Sequence, residues 1–285
     1  MKHAPGPESC GGLSLSRLPK SKHWLSASLL LFCLIVLPGA AAQTEPLLAG
    51  LEGGGRASVA GIVDGDTLLL DDGRELRLVG LQAPKLPLDR PGFPTWPLAD
   101  EAKAALGALA LGRTVELRFG GRRGDRHGRV LAHLVRDDGL WLQGELLRRG
   151  LARVYSFADN RALVADMLAL ERDARGAGRG IWAEPYYGVR DPQEAGRHIG
   201  TFQLVEGSAL DVAVVRGRAY INFGADWRSD FTATLAPAVV RAFAAESLDP
   251  ARYEGRRLRI RGWLKSFNGP MIEITHPEQI EVLDE

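Results

Sequence analysis

Residues 61–85 read GIVDGDTLLLDDGRELRLVGLQAPK, and the fold of the first half of the chain turns on them. Two short apolar runs flank an acidic turn, Asp64-Gly65-Asp66. A second turn, Asp71-Asp72-Gly73, leads into a strand-like run from Glu75 to Leu81. Asp and Gly are common turn formers, so the first turn alone says little. Arg77 inside the second run and the Ala83-Pro84 stop after it say more. A carboxylate at one strand end and a guanidinium inside the next can meet on one face of a small barrel, which makes this stretch the candidate site.

Outward from it, strand-like segments at 57–63, 66–71 and 74–81, joined by tight turns, describe a meander. The four prolines of KLPLDRPGFPTWP (85–97) exclude a helix or a central strand and predict a loop beside the site. A helix is expected at 98–111, strands at 114–119 and 130–136, and further helices at 140–149 and 161–175. Between the two strands lies a basic, turn-rich GGRRGDRHGR. This order predicts a β-barrel of oligonucleotide-binding type with helices packed at its side. A composition shift at 185–200 reads as a linker. From about residue 201, five or so strands and one helix, opened by Pro237, predict a second, small α+β oligonucleotide-binding-like domain.

The chain has 285 residues, 45% hydrophobic and 25% charged, and a formal net charge of +1. That length suits one or two domains. The first 42 residues hold four Lys or Arg and one Glu; the remainder has 32 basic against 34 acidic groups, a net of −2. So small a charge gives little global steering towards nucleic acid, and any such contact must be a local patch. Residues 25–37, LSASLLLFCLIVL, follow Arg17, Lys20, Lys22 and His23 and precede PGAAAQ. These are the marks of a signal peptide spanning 1–42, with 43–56 as a linker, a periplasmic or secreted location and no stable membrane anchor after cleavage. Both cysteines, Cys10 and Cys33, lie in that leader, so thiol catalysis, a disulfide and a cysteine zinc site are excluded from the remainder.

With these pieces in place, residues 57–184 resemble the staphylococcal-nuclease-like (thermonuclease) family. The matching segments are VDGDT (63–67), ELRLVGLQAPK (75–85), DRHGR (125–129), LQGELLRRGLARV (142–154) and GIWAE (180–184), in the right order and spacing. The resemblance implies a five-stranded oligonucleotide-binding barrel with three helices that cleaves phosphodiesters with one calcium ion. It assigns Asp66 as a calcium ligand, Asp64 as an acidic neighbour, Thr67 as a contact beside the metal, and Arg77 and Arg129 as the phosphate-binding arginines. Where the family usually has D-x-P-E, with a second metal ligand and a proposed general base, this chain has Gln82, Pro84 and Lys85. The unit at 201–285 resembles C-terminal units attached to such domains in some bacterial envelope proteins, and its strand pattern predicts a barrel-like domain.

Hydrolysis of a phosphodiester needs an activated water and neutralisation of charge on the phosphoryl oxygens. Arg77 and Arg129 can grip a phosphate. Calcium wants six to eight hard oxygen ligands; Gln82 offers only a neutral carbonyl, and a protonated Lys85 repels a dication and accepts no proton. Asp66, Asp64 and Gln82 therefore describe a weakened or lost calcium site, with Asp89, Asp100 and Glu101 as substitute carboxylates. Three readings follow. The first is an exported, non-catalytic nuclease-like domain with no cofactor, which binds nucleic acid, a nucleotide phosphate or a protein. The second is an active calcium-dependent phosphodiesterase or endonuclease with an altered site. The third is an envelope scaffold. In the second unit, Tyr220, Phe223, Trp227, Phe231, Trp263 and Phe267 either fill a core or offer a stacking platform.

Overall fold

Residues 47–283 are described by a computed structural model; the expected signal peptide, with Cys10 and Cys33, lies outside them. No helix of the described residues is long and apolar enough to cross a membrane.

Alternation of apolar and polar residues builds the first sheet. Strands β1 (Glu52–Asp64), β2 (Thr67–Leu70), β3 (Glu75–Leu78), β5 (Thr114–Phe119) and β6 (Val130–Arg136) form a closed barrel in the order β1-β2-β3-β6-β5. Closure comes from β5 pairing back onto β1, Ala57 opposite Val115. Val59, Leu68, Leu70, Leu76, Leu78, Val115, Leu117, Ala132 and Leu134 point inward and are buried, as a period of two requires. Between them, β4 (Leu81–Gln82) pairs with β7 (Arg153–Val154) as a separate two-stranded ribbon.

Helices α1 (Ala99–Ala110), α2 (Leu142–Arg148) and α3 (Val164–Gly176) cover the barrel. Ala102, Leu106, Leu146, Met167 and Leu168 join its core. The glycine of the DGD turn is a packing requirement: a Cβ on Gly65 would stand 2.7 Å from the Cβ atoms of both Ala83 and Ala102. Helix α1 and the end of β4 thus clamp the turn. The expected barrel with packed helices is what forms. Strand β1 starts at Glu52, inside the stretch read as a linker.

The second half corrects the expectation of another oligonucleotide-binding-like barrel. Strands β8 (Phe202–Ser208), β9 (Asp211–Val215), β10 (Arg218–Asn222), β11 (Thr232–Leu235), β12 (Arg257–Phe267), β13 (Gly269–Ile274) and β14 (Ile280–Val282) form an open sheet. Its order is β14-β12-β13-β11-β10-β9, with β8 on β12. The chain bends at Ala209-Leu210, so β8 stays with β12 while β9 leaves with β10 and ends the sheet. Helix α4 (Pro237–Ala245) lies between β11 and β12 in sequence, and β11 runs parallel to β13. Ala219, Ile221, Ala233, Leu235, Ile272 and Phe243 make a core on one face. The region 185–200, read as a linker, carries short 3-10 helices at Pro185–Tyr187 and Pro192–His198.

The barrel and the open sheet meet through buried charge. Arg261 on β12 is 1% exposed; its guanidinium donates to Glu171 on α3 at 2.9 and 3.1 Å and to Glu281 on β14 at 2.5 Å. Glu171, itself fully buried, also accepts the Val154 N–H at 2.5 Å and Arg175 Nη1 at 2.8 Å. At the rim, Arg161 bridges Glu246 and Glu278, and Trp263 Nε1 donates to the Tyr155 hydroxyl at 2.7 Å. Ser156 Oγ and His276 Nε2 are 2.7 Å apart across the same junction.

A buried pair that loses one partner leaves an uncompensated charge. Glu171→Ala is expected to cost about 3–5 kcal/mol, read from denaturant unfolding. Burial lowers the His276 pKa from its model-compound value of 6.5 to about 4. The unfolded chain therefore binds a proton that the folded chain refuses in this window, and stability falls as pH drops from 6.5 towards 4. His276→Gln should flatten that slope in unfolding midpoints measured across the window.

Candidate functional site

The DGD turn joins β1 to β2 and aims two carboxylates at the end of β4. Asp66 N–H donates to Asp64 Oδ1 at 3.0 Å, so the turn orients its own acids. Asp66 is fully buried and receives donors from four elements. Arg77 on β3, opposite Thr67 in register, gives Nη1 to Oδ1 at 2.6 Å. The Ala83 N–H reaches Oδ2 at 2.8 Å and the Thr67 hydroxyl reaches Oδ1 at 3.0 Å. Lys85 Nζ lies 2.6 Å from each Asp66 oxygen and 3.0 Å from Asp64 Oδ2.

Burial on its own would raise the Asp66 pKa. The charges of Arg77 and Lys85, with the Lys85 and Ala83 hydrogen bonds, outweigh it and hold the carboxyl far below the usual range. Asp66 is therefore held as a carboxylate, with Arg77 and Lys85 beside it. Both Asp66 oxygens and both Asp64 oxygens already accept hydrogen bonds, and an ammonium fills the space between the two acids. A calcium ion requires six to eight oxygens free to face it; this donor set, so arranged, does not fit one.

Gln82, placed by sequence beside Asp66, turns elsewhere. It pairs with Arg153 across β4 and β7, and its Oε1 accepts from Arg153 Nε at 3.1 Å and Nη2 at 2.8 Å. Arg153 is 4% exposed, and burial lowers its pKa to about 10. Its guanidinium lies 4.7 Å from the Phe202 ring centroid, 5.8 Å from Tyr187 and 5.9 Å from Trp96. A neutral acceptor suits an arginine caged by rings. Nothing in the local pattern marked Arg153, because its neighbours come from both halves of the chain.

Arg129 precedes β6, and the parallel ladder of β3 and β6 sets Arg77 opposite Leu131. Two-residue alternation then puts Arg129 on the same outer face as Arg77. Its own partner is Asp125, which accepts from Nε at 2.8 Å and Nη2 at 2.7 Å. The two arginines share a face but belong to separate ion pairs. The substitute carboxylates Asp89, Asp100 and Glu101 are exposed and contribute no contact to the Asp66 cluster. Among the described residues, no group of three or more His, Cys, Asp or Glu side chains is placed to hold a metal.

Because the folded pKa of Asp66 is depressed, its contribution to stability is complete above the unfolded carboxylate value, about 3.9, and is lost as pH falls below it. Asp66→Asn should therefore flatten the acid limb of the stability profile between about pH 4 and pH 2, measured by denaturant midpoints.

The staphylococcal nuclease homologue family matches residues 75–184, the stretch from β3 through the short 3-10 turn at Gly180–Ala183. An Escherichia coli protein named "Uncharacterized endonuclease" is 29% identical over 129 residues, 44% of this chain and 76% of that protein. A counterpart of the same name in Escherichia coli O157:H7 gives the same figures. "Protein ParB" of Escherichia coli is 31% identical over 148 residues, 46% of this chain and 74% of its own length. The matched region holds Arg77, Lys85, Arg129 and Arg153 and supplies β3, β5 and β6 of the closed barrel, while β1 and β2 precede it. Through this domain, the chain belongs to the staphylococcal nuclease homologue family.

Proposed function

We propose that the nuclease-like domain does not cleave phosphodiesters and instead serves as a binding module for a phosphate-bearing ligand. The observation that carries this reading is Lys85 Nζ at 2.6 Å from both oxygens of Asp66 and 3.0 Å from Asp64. A cation supplied by the chain stands where a catalytic ion would need the same oxygens. The usual base position is occupied by an ammonium already donating to carboxylates, so it has no lone pair for a water proton. Gln82, spent on Arg153, supplies no ligand.

What the site keeps is the outer face bearing Arg77 and Arg129, next to the exposed basic turn of Arg122, Arg123 and Arg126. An arriving phosphate can exchange with Asp125 for the Arg129 fork, a charge-assisted bidentate geometry. Nucleic acid is one source of such a phosphate. Export to the periplasm or beyond belongs to the same proposal and rests on the apolar run 25–37 and the small residues Ala40 and Ala42. A second reading, an active endonuclease, is favoured by the names of two Escherichia coli relatives and by the retention of both arginines.

A calcium-supplemented cleavage assay on DNA and RNA with the purified protein separates the two. No cleavage is expected from the natural sequence. Calorimetry should detect calcium binding only after Gln82→Asp and Lys85→Glu are combined. Calcium-dependent cleavage by the unaltered protein, abolished by Arg77→Ala, would overturn the proposal. Arg129→Ala should weaken binding of a labelled oligonucleotide by about 5- to 100-fold at low salt, read by fluorescence anisotropy.

A further inference from the structure

The face of the open sheet opposite its core carries a cavity of about 410 Å³, within the range of about 300–1,000 Å³ typical of small-ligand sites. Alternation explains its lining. On β10, Ala219 and Ile221 enter the core while Tyr220 and Asn222 face the cavity; Asp211 on β9, Thr232 and Thr234 on β11 and Met271 on β13 join them. Trp227, from the loop after β10, and Phe267, at the end of β12, flank this floor and are 51% and 63% exposed. Exposed rings grouped around a cavity form the kind of apolar surface that marks a ligand-binding groove. Of the aromatics that sequence grouped together, Phe223 and Phe231 stack in the core at 5.0 Å, whereas Tyr220, Trp227 and Phe267 surround the cavity.

The polar floor is organised. Asn222 Nδ2 donates to Asp211 Oδ2 at 2.9 Å, and the Thr232 hydroxyl donates to Asn222 Oδ1 at 3.2 Å. The Thr234 hydroxyl has the Met271 sulfur, a weak acceptor, at 3.5 Å. One Asn222 N–H, Asp211 Oδ1 and the lone pairs of both threonines therefore remain for a ligand. The lining itself has one carboxylate and no Lys or Arg, which disfavours a phosphate on the floor; the Arg228 guanidinium covers one face of the Trp227 ring, 4.5 Å from its centroid. A quaternary ammonium would suit the rings but would leave the row of amide and hydroxyl groups unpaired.

We propose that this cavity binds a neutral sugar ring, its C–H faces laid against both Trp227 and Phe267 and its hydroxyls shared among Asp211, Asn222 and Thr232. Hydroxyls both donate and accept, which matches a floor of one carboxylate, one amide and two hydroxyls. The site lies on β9, β10, β11 and β13, outside the nuclease-like barrel, and does not depend on the function proposed for that domain.

The test is titration of the full chain, followed by tryptophan fluorescence and calorimetry, with glucose, galactose, mannose, N-acetylglucosamine, cellobiose and chitobiose, and with AMP and choline as controls. At least one sugar should bind saturably, and Trp227→Ala and Phe267→Ala should each weaken it by about tenfold or more. Both side chains are exposed, so the variants should keep the natural melting temperature, which is measured alongside. Silence of all six sugars up to about 50 mM, sugar binding unchanged in Trp227→Ala, or binding of AMP or choline in place of every sugar would overturn the proposal.

Discussion

The barrel's functional face depends on one buried carboxylate. Asp66 is fully shielded from water and takes hydrogen bonds from β2, β3, the end of β4 and the loop that follows. An isolated carboxylate at such a position would cost several kcal/mol to desolvate. Two cations and two further donors offset that cost and tie the three strands together. The chemical consequence follows from the same geometry. Both Asp66 oxygens are taken up by Lys85, Arg77, Thr67 and the Ala83 N–H, and the proposal of a site without metal chemistry rests on that arrangement.

A second buried charge cluster does for the whole chain what Asp66 does locally. Glu171 binds Arg261 from the open sheet and the Val154 N–H of β7, and β7 is the strand that sets Arg153 against Gln82. Arg153 is in turn covered by Phe202 of the second half. The identity of residue 82 thus answers to the junction as much as to the site. An aspartate there would face a caged arginine, and the glutamine's neutral oxygen is the group that meets it.

Much of this was legible in the chain. Strands β5 and β6 and helix α4 begin and end where alternation, glycine and proline placed them. The meander, the basic turn and the helices carried enough order for a closed barrel to be expected. The second half misled for a physical reason. Closure is a matter of whether the first and last strands meet, and period-two patterning is the same in an open sheet and a barrel. The bend at Ala209-Leu210, which sends β9 away from β8, has no signature in alternation.

Local periodicity and the side chain at each position set the segments, the inward faces and the residue types at the family's site positions. Which charges meet is a matter of how the chain packs in three dimensions. Packing turned Gln82 to Arg153, sank Arg261 between Glu171 and Glu281, and left Trp227 and Phe267 around a cavity while Phe223 and Phe231 went into the core. Partners distant in sequence are chosen by how sheets close and helices pack, and hydrogen bonds reach only about 3 Å. A shift of one residue in the register of β4 and β7 would part Gln82 from Arg153.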